Sequence, residues 1–173
     1  MTVAAVVLAA GASTRYGRPK QLELLPAVLE RLARTSVDEI VVVEGAHPLM
    51  PVLGSRREPR TRVSVVHTED WARGPGASLR AGLEALGPRV AHALVVLADG
   101  PRLDPRAVER LLERRGEGPV LAASYDGARS HPVLLAREAW VAVPDEGARA
   151  LEPLLVDCSD LEPPGDVDRP LRP

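Results

Sequence analysis

Five short apolar runs constrain this chain more than any other feature: Val3–Leu8, Glu39–Val43, Arg62–Val66, Ala93–Leu97 and Val120–Ala123. Each is rich in Val, Leu or Ala and bounded by Gly, Pro or charge. A half-exposed strand alternates apolar with polar, whereas a continuous run reads as a strand covered on both faces, as in a parallel sheet. Helical spacing fills the gaps. Leu25, Val28, Leu29 and Leu32 mark one stripe, and Leu79, Leu83 and Leu86 a second. Val108, Leu111 and Leu112 mark a third, opened by Asp104 as N-cap and Pro105 at the first helical position. Strand–helix alternation predicts an α/β fold with a mainly parallel sheet. After the turn at 125–127, His131–Leu135 predicts another strand. With a helical pattern over Gly147–Val156, it predicts a small antiparallel excursion. The segment 163–173, rich in Pro, Asp and Arg, predicts an irregular tail.

At 173 residues the chain is most economically a single domain, 1–173. A formal charge of −2 gives no general pull toward nucleic acid. The lone Cys158 excludes an internal disulfide and a cysteine-rich metal site, which fits a reducing cytoplasm. Met1–Ala10 is apolar but too short to span a membrane, and it has no charged region before it. It reads as a core strand. One Gln, no Asn and abundant Pro and Arg suit heat adaptation, and a GC-rich genome produces the same bias.

The loop after the first strand carries the strongest chemical signal. Leu8-Ala9-Ala10-Gly11 leads through Ser13, Arg15 and Gly17 to Lys20, the one lysine among 22 cationic side chains. In an open α/β sheet ligands bind beyond the carboxyl ends of the strands. Small residues there let backbone N–H groups approach phosphate oxygens, and Arg15 and Lys20 add charge. The spacing matches neither the dinucleotide glycine pattern nor the P-loop.

Asp99 ends the fourth run in Leu97-Ala98-Asp99-Gly100-Pro101. A lone Asp at a strand end is often a turn former or cap. Asp104 already fills the cap position here, which leaves Asp99 for a magnesium ion shared with substrate phosphates. Asp168 or Asp166 supplies a second carboxylate if the tail folds back. The turn Arg73-Gly74-Pro75-Gly76 opens a helix carrying Ser78, whose free N–H groups suit an anion or a base edge. His131, before Pro132, is extended. Trp71, Trp140 and Cys158 read as packing residues.

Together these motifs, in order and nearly end to end, resemble the MobA-like nucleotidyltransferases, most closely the molybdenum cofactor cytidylyltransferases. The resemblance implies a Rossmann-like fold and Mg²⁺-dependent transfer of CMP from CTP to a phosphate acceptor, molybdopterin. A molybdoenzyme would receive the product, and neither nucleic acid nor membrane is a partner. It assigns Arg15 and Lys20 to catalysis, and Leu8, Ala9, Ala10, Gly11, Gly76 and Ser78 to the nucleotide. It assigns Asp99 and Asp168 to the metal, and His131, Asp145 and Arg149 to the acceptor. The chain departs from the family pattern after Lys20, where Gln21–Leu25 runs straight to Pro26, and at Pro144, where a Gly is usual. Two alternatives stay open. One is the same fold acting on another acceptor, by guanylyl or by sugar or acid phosphate transfer. The other is a non-catalytic nucleotide- or cofactor-binding accessory protein.

Overall fold

The computed structural model describes residues 2–13, 19–49 and 61–166. Seven strands form one sheet: β1 (Thr2–Leu8), β2 (Glu39–Glu44), β3 (Arg62–His67), β4 (Val90–Leu97), β5 (Val120–Tyr125), β6 (Ala128–Ala136) and β7 (Leu154–Asp157). Their order is β3-β2-β1-β4-β6-β5-β7. All described pairings are parallel except those of β6, which runs antiparallel to both β4 and β5. The expected antiparallel excursion is therefore β6.

Helices α1 (Lys20–Leu32) and α3 (Pro105–Glu113) cover one face, and α2 (Pro75–Glu84) covers the other. Strand β1 shows why its sequence is continuous. Ala5 and Val7 pack with Leu25, Leu29 and Leu111, while Ala4 and Val6 pack with Leu79 and Leu83. Gly82 brings α2 close to the sheet. A Cβ there would stand 2.5 Å from Val6 Cγ1 and 2.8 Å from Val43 Cγ2. The Asp104 side chain accepts from the Arg106 N–H at 2.9 Å, as its capping role requires. Pro26 lies inside α1 but on its exposed side, where the lost backbone bond faces water.

Two expectations need correction. The Gly147–Val156 segment is not a helix but a short 3-10 turn, Ala148–Ala150, followed by β7. Its spacing of Ala148, Leu151 and Leu155 imitates a helical stripe, but Pro153 interrupts it, and Leu154 and Leu155 are 40% and 42% exposed on the edge strand. Strand β3 is the opposite edge, and its residues are half-buried or exposed rather than covered on both faces. Among the described residues, no helix is long and apolar enough to cross a membrane.

Candidate active site

The sheet register aligns the strand ends that matter. Leu8 of β1 pairs with Val43 of β2 on one side and with Leu97 of β4 on the other. The chain first extends the sheet through β2 and β3, then returns to place β4 on the other side of β1. That reversal opens a crevice beyond the carboxyl ends of β1 and β4, the usual ligand position in such sheets. A cleft of about 460 Å³ lies there. Leu8, Ala9, Ala10, Gly11, Lys20, Ser78 and Asp99 all line it. Gly76, in the first turn of α2 between Pro75 and Ser78, does not line it.

Lys20 is the first residue of α1, and its ammonium lies 2.8 Å from Asp99 Oδ2 and 3.8 Å from Asp166 Oδ1. Asp99 Oδ1 is buried with no hydrogen-bond partner. A buried carboxylate oxygen without a partner is costly, so this atom is suited to accept a cation or a proton donor. The tail folds back as a second carboxylate requires. The Arg102 N–H donates to Pro164 O at 3.1 Å, and Pro164 Cβ lies 3.2 Å from a Cβ built on Gly100. Asp166 thereby reaches the site. Among the described residues, no group of three His, Cys, Asp or Glu side chains is placed to hold a metal by itself. Two carboxylates suit a hard ion that takes its remaining ligands from substrate and water. Arg15 and Asp168 lie outside the described residues.

The sequence reading gave no role to Ser13 and Gln21, which shape the first loop. The Gln21 amide donates to Gly11 O at 2.6 Å, and the Ser13 hydroxyl donates to Gln21 Oε1 at 2.7 Å. The Lys20 N–H in turn donates to Ser13 Oγ at 3.2 Å. This chain of bonds ties the loop to the start of α1. Ser13 adopts φ 54°, a left-handed conformation costly for a side chain. The one signal for Gln21 was its being the sole glutamine of the chain, directly after the sole lysine.

The three residues assigned to the acceptor separate. His131 lines a second hollow of about 360 Å³ with Arg129, Gly165 and Asp166. Burial pushes its imidazole down to about 4, with Arg129 acting in the same direction and Asp99 opposing, so it is neutral at neutral pH. Asp145 instead braces the glycine turn. Its carbonyl accepts from Gly76 N at 2.9 Å and its carboxylate accepts from Arg80 at 2.5 Å. The Arg80 guanidinium holds its carboxyl below the ordinary range. Arg149 is exposed, and its carbonyl accepts from Arg129 at 3.0 Å. Arg129 also donates to the carbonyls of Ala148 and Leu151, both at 2.7 Å. Arg129 thus holds the 148–151 turn in place. Asp145 and Arg149 line neither hollow.

A crevice at the strand reversal, the Lys20–Asp99 pair and a glycine at the start of α2 lie together at one end of this α/β sheet. Residues 5–157 match the model of the MobA-like NTP transferase domain. The chain belongs to that family and is a nucleotidyltransferase. It is similar to Rv0371c from Mycobacterium tuberculosis H37Rv, with 26% identity and a TM-score of 0.76 over 98% of this chain and 93% of that one. A manganese complex of Rv0371C from the same organism gives 24% identity and a TM-score of 0.69 over 91% and 89%. CMP:2-keto-3-deoxy-manno-octonic acid synthetase complexed with CTP shares the fold at 13% identity, with a TM-score of 0.70 over 98% and 94%. No curated protein matches the sequence.

Proposed function

We propose that this chain is a single-domain cytoplasmic enzyme that transfers CMP from CTP to a phosphorylated acceptor, molybdopterin, with release of pyrophosphate. The observation that carries the reading is the meeting of Lys20, Asp99 and Asp166 at the crevice, with one Asp99 oxygen left unpaired. An acceptor phosphate oxygen attacks the α-phosphorus of the nucleotide. The bond from that phosphorus to the α–β bridging oxygen breaks, and its electron pair leaves with pyrophosphate. The acceptor is already anionic, so positioning and charge neutralisation suffice. Lys20 stabilises the charge growing on the leaving group, and Arg15 joins it in this assignment. Backbone groups at Ala9, Ala10 and Gly11 border the triphosphate. Gly76 and Ser78 border the base and ribose side.

Asp99 with Asp166 or Asp168 would hold a divalent ion, Mg²⁺, which when bound neutralises phosphate charge. The manganese-bound similar structure supports a divalent ion at this fold. Asp99→Asn keeps the shape and removes the charge. Its half-saturating Mg²⁺ concentration is expected to rise by an order of magnitude or more, measured by isothermal titration in the presence of CTP. An unchanged titration would make Asp99 a turn residue.

CTP is favoured over GTP by the opening motif and by the CTP complex of a similar fold. Thermal unfolding with Mg²⁺ and each of CTP, GTP, ATP and UTP tests this. A ligand at 100 times its dissociation constant adds about 2.7 kcal/mol. That raises the midpoint by roughly 5–10 °C at this size. The shift is expected with CTP. A shift with GTP alone moves the chain to guanylyl transfer, and no shift with any nucleotide favours the accessory reading.

One observation favours a second reading, the same transfer to a different phosphorylated acceptor. His131 faces the hollow beside Asp166, while Asp145 and Arg149 serve the glycine turn and the Arg129 clasp.

A further inference from the structure

One aromatic ring stands in the cleft wall outside both apolar clusters of the described residues. The chain has two Trp, two Tyr and no Phe. Trp140 is a packing residue: it lies against the core, donates Nε1 to Leu135 O at 3.3 Å and carries the Arg137 guanidinium 4.6 Å above its ring. Trp71 differs. It belongs to neither apolar cluster of the described residues, is half-buried, and lines the cleft beside Ala72, Gly74, Pro75 and Ser78.

Its position is built rather than incidental. Trp71 lies within the 3-10 segment Glu69–Arg73, which follows β3. Its side chain lies against the backbone of Gly45, just beyond the end of β2. A Cβ at Gly45 would stand 2.6 Å from Trp71 Cβ, 2.7 Å from Cγ and 2.9 Å from Cδ1. A larger residue at 45 would push the indole away. The sheet order then sets the layout. The indole lies beside Gly45, just past β2, while the small-residue loop follows β1 and Asp99 follows β4. Two strand spacings, roughly 10 Å, separate β2 from β4. A ligand anchored by its phosphates near Lys20 and Asp99 and running toward β2 meets the indole with its other end.

We infer that Trp71 is the platform on which the nucleobase packs, an inference that rests on the cleft being the nucleotide site. Every base has a π-face, so stacking supplies affinity for nucleotides in general and leaves base choice to the neighbouring backbone groups. Loss of the ring therefore raises KM and leaves kcat near its value at saturation.

The test starts from a Trp140→Phe background, in which Trp71 is the sole tryptophan. Its fluorescence is expected to quench on titration with Mg²⁺ and CTP, saturating at the concentration that saturates the thermal shift. Trp71→Leu is expected to weaken NTP binding roughly 5- to 150-fold. Trp71→Phe should recover most of that loss. Inorganic triphosphate, which has no base, should bind the Trp71→Leu variant and its parent alike. If CTP binds both with equal affinity and no quenching appears, the platform is wrong and the nucleotide site stands. If Trp71→Leu loses inorganic triphosphate as well, the indole serves the fold of the cleft and the inference fails. If no nucleotide binds the parent, the inference falls with the reading beneath it.

Discussion

Lys20→Ala is expected to lower turnover by on the order of 10²–10³, the usual cost of removing one preorganised charge or donor from a transition state that gains negative charge. The structure adds a second effect. The Lys20 ammonium lies 2.8 Å from Asp99 and 3.8 Å from Asp166, and its side chain is only 14% exposed. Without it, Asp99 and Asp166 lose the ammonium they share, and Asp99 keeps an oxygen that is already unpaired. The metal-free variant should therefore be less stable, by about 1–3 kcal/mol. That lies between the small worth of exposed pairs and the larger cost of orphaning a buried charge. The same loss of positive charge should strengthen divalent-ion binding, so added Mg²⁺ or Mn²⁺ should restore much of the lost stability. Pyrophosphate release under single-turnover conditions measures the first effect, and thermal unfolding with and without the ion measures the second. Near-parental turnover would remove Lys20 from the chemistry. Parental stability without metal would mean that the ion pair contributes nothing to the fold.

Much of the architecture was legible because parallel strands covered on both faces need continuous apolar sequence. Val3–Leu8 and Ala93–Leu97 lie within β1 and β4, and the three helical stripes are buried as their spacing required, with Leu86 just past the end of α2. The failures lie at the sheet edges. Strand β7 has four residues, and only Val156 among them is buried, so its sequence carries no strand period to read. The apolar spacing from Ala148 to Leu155 imitated a helix because two unrelated segments happened to follow one another. At the site, Lys20 and Asp99 meet because the topology brings the loop after β1 beside the end of β4. The Ser13–Gln21 bonds, the Asp145 brace and the indole on Gly45 join residues 8, 69 and 26 positions apart in the chain. They depend on loop geometry that no local period encodes.

Gly76→Ala tests that loop geometry most severely. A Cβ on Gly76 would stand 1.8 Å from Pro144 O and 2.8 Å from Asp145 Cα. Both obstacles are backbone atoms, so no rotamer change relieves the clash, and one of the two chains must move. The movement breaks the bond from Gly76 N to Asp145 O and pulls on the Arg80 bonds to Val143 O and Asp145. Overpacking of this kind costs about 1–3 kcal/mol and occasionally more. Placed at the upper end, it lowers the unfolding midpoint by roughly 6–12 °C. The displaced turn also carries Gly74 and Pro75 out of the cleft wall. CTP affinity should then fall together with stability, whereas inorganic triphosphate binding near Lys20 should fall less. The glycine is thus required by the contact with 144–145 and not by its own backbone angles, because its φ is not in the left-handed region, unlike that of Gly74 at 132°. A Gly76→Ala protein with parental stability and parental CTP affinity would show that the 143–147 segment does not pack on the glycine turn. It would also detach Asp145 from the nucleotide side of the cleft and return it to consideration as an acceptor ligand.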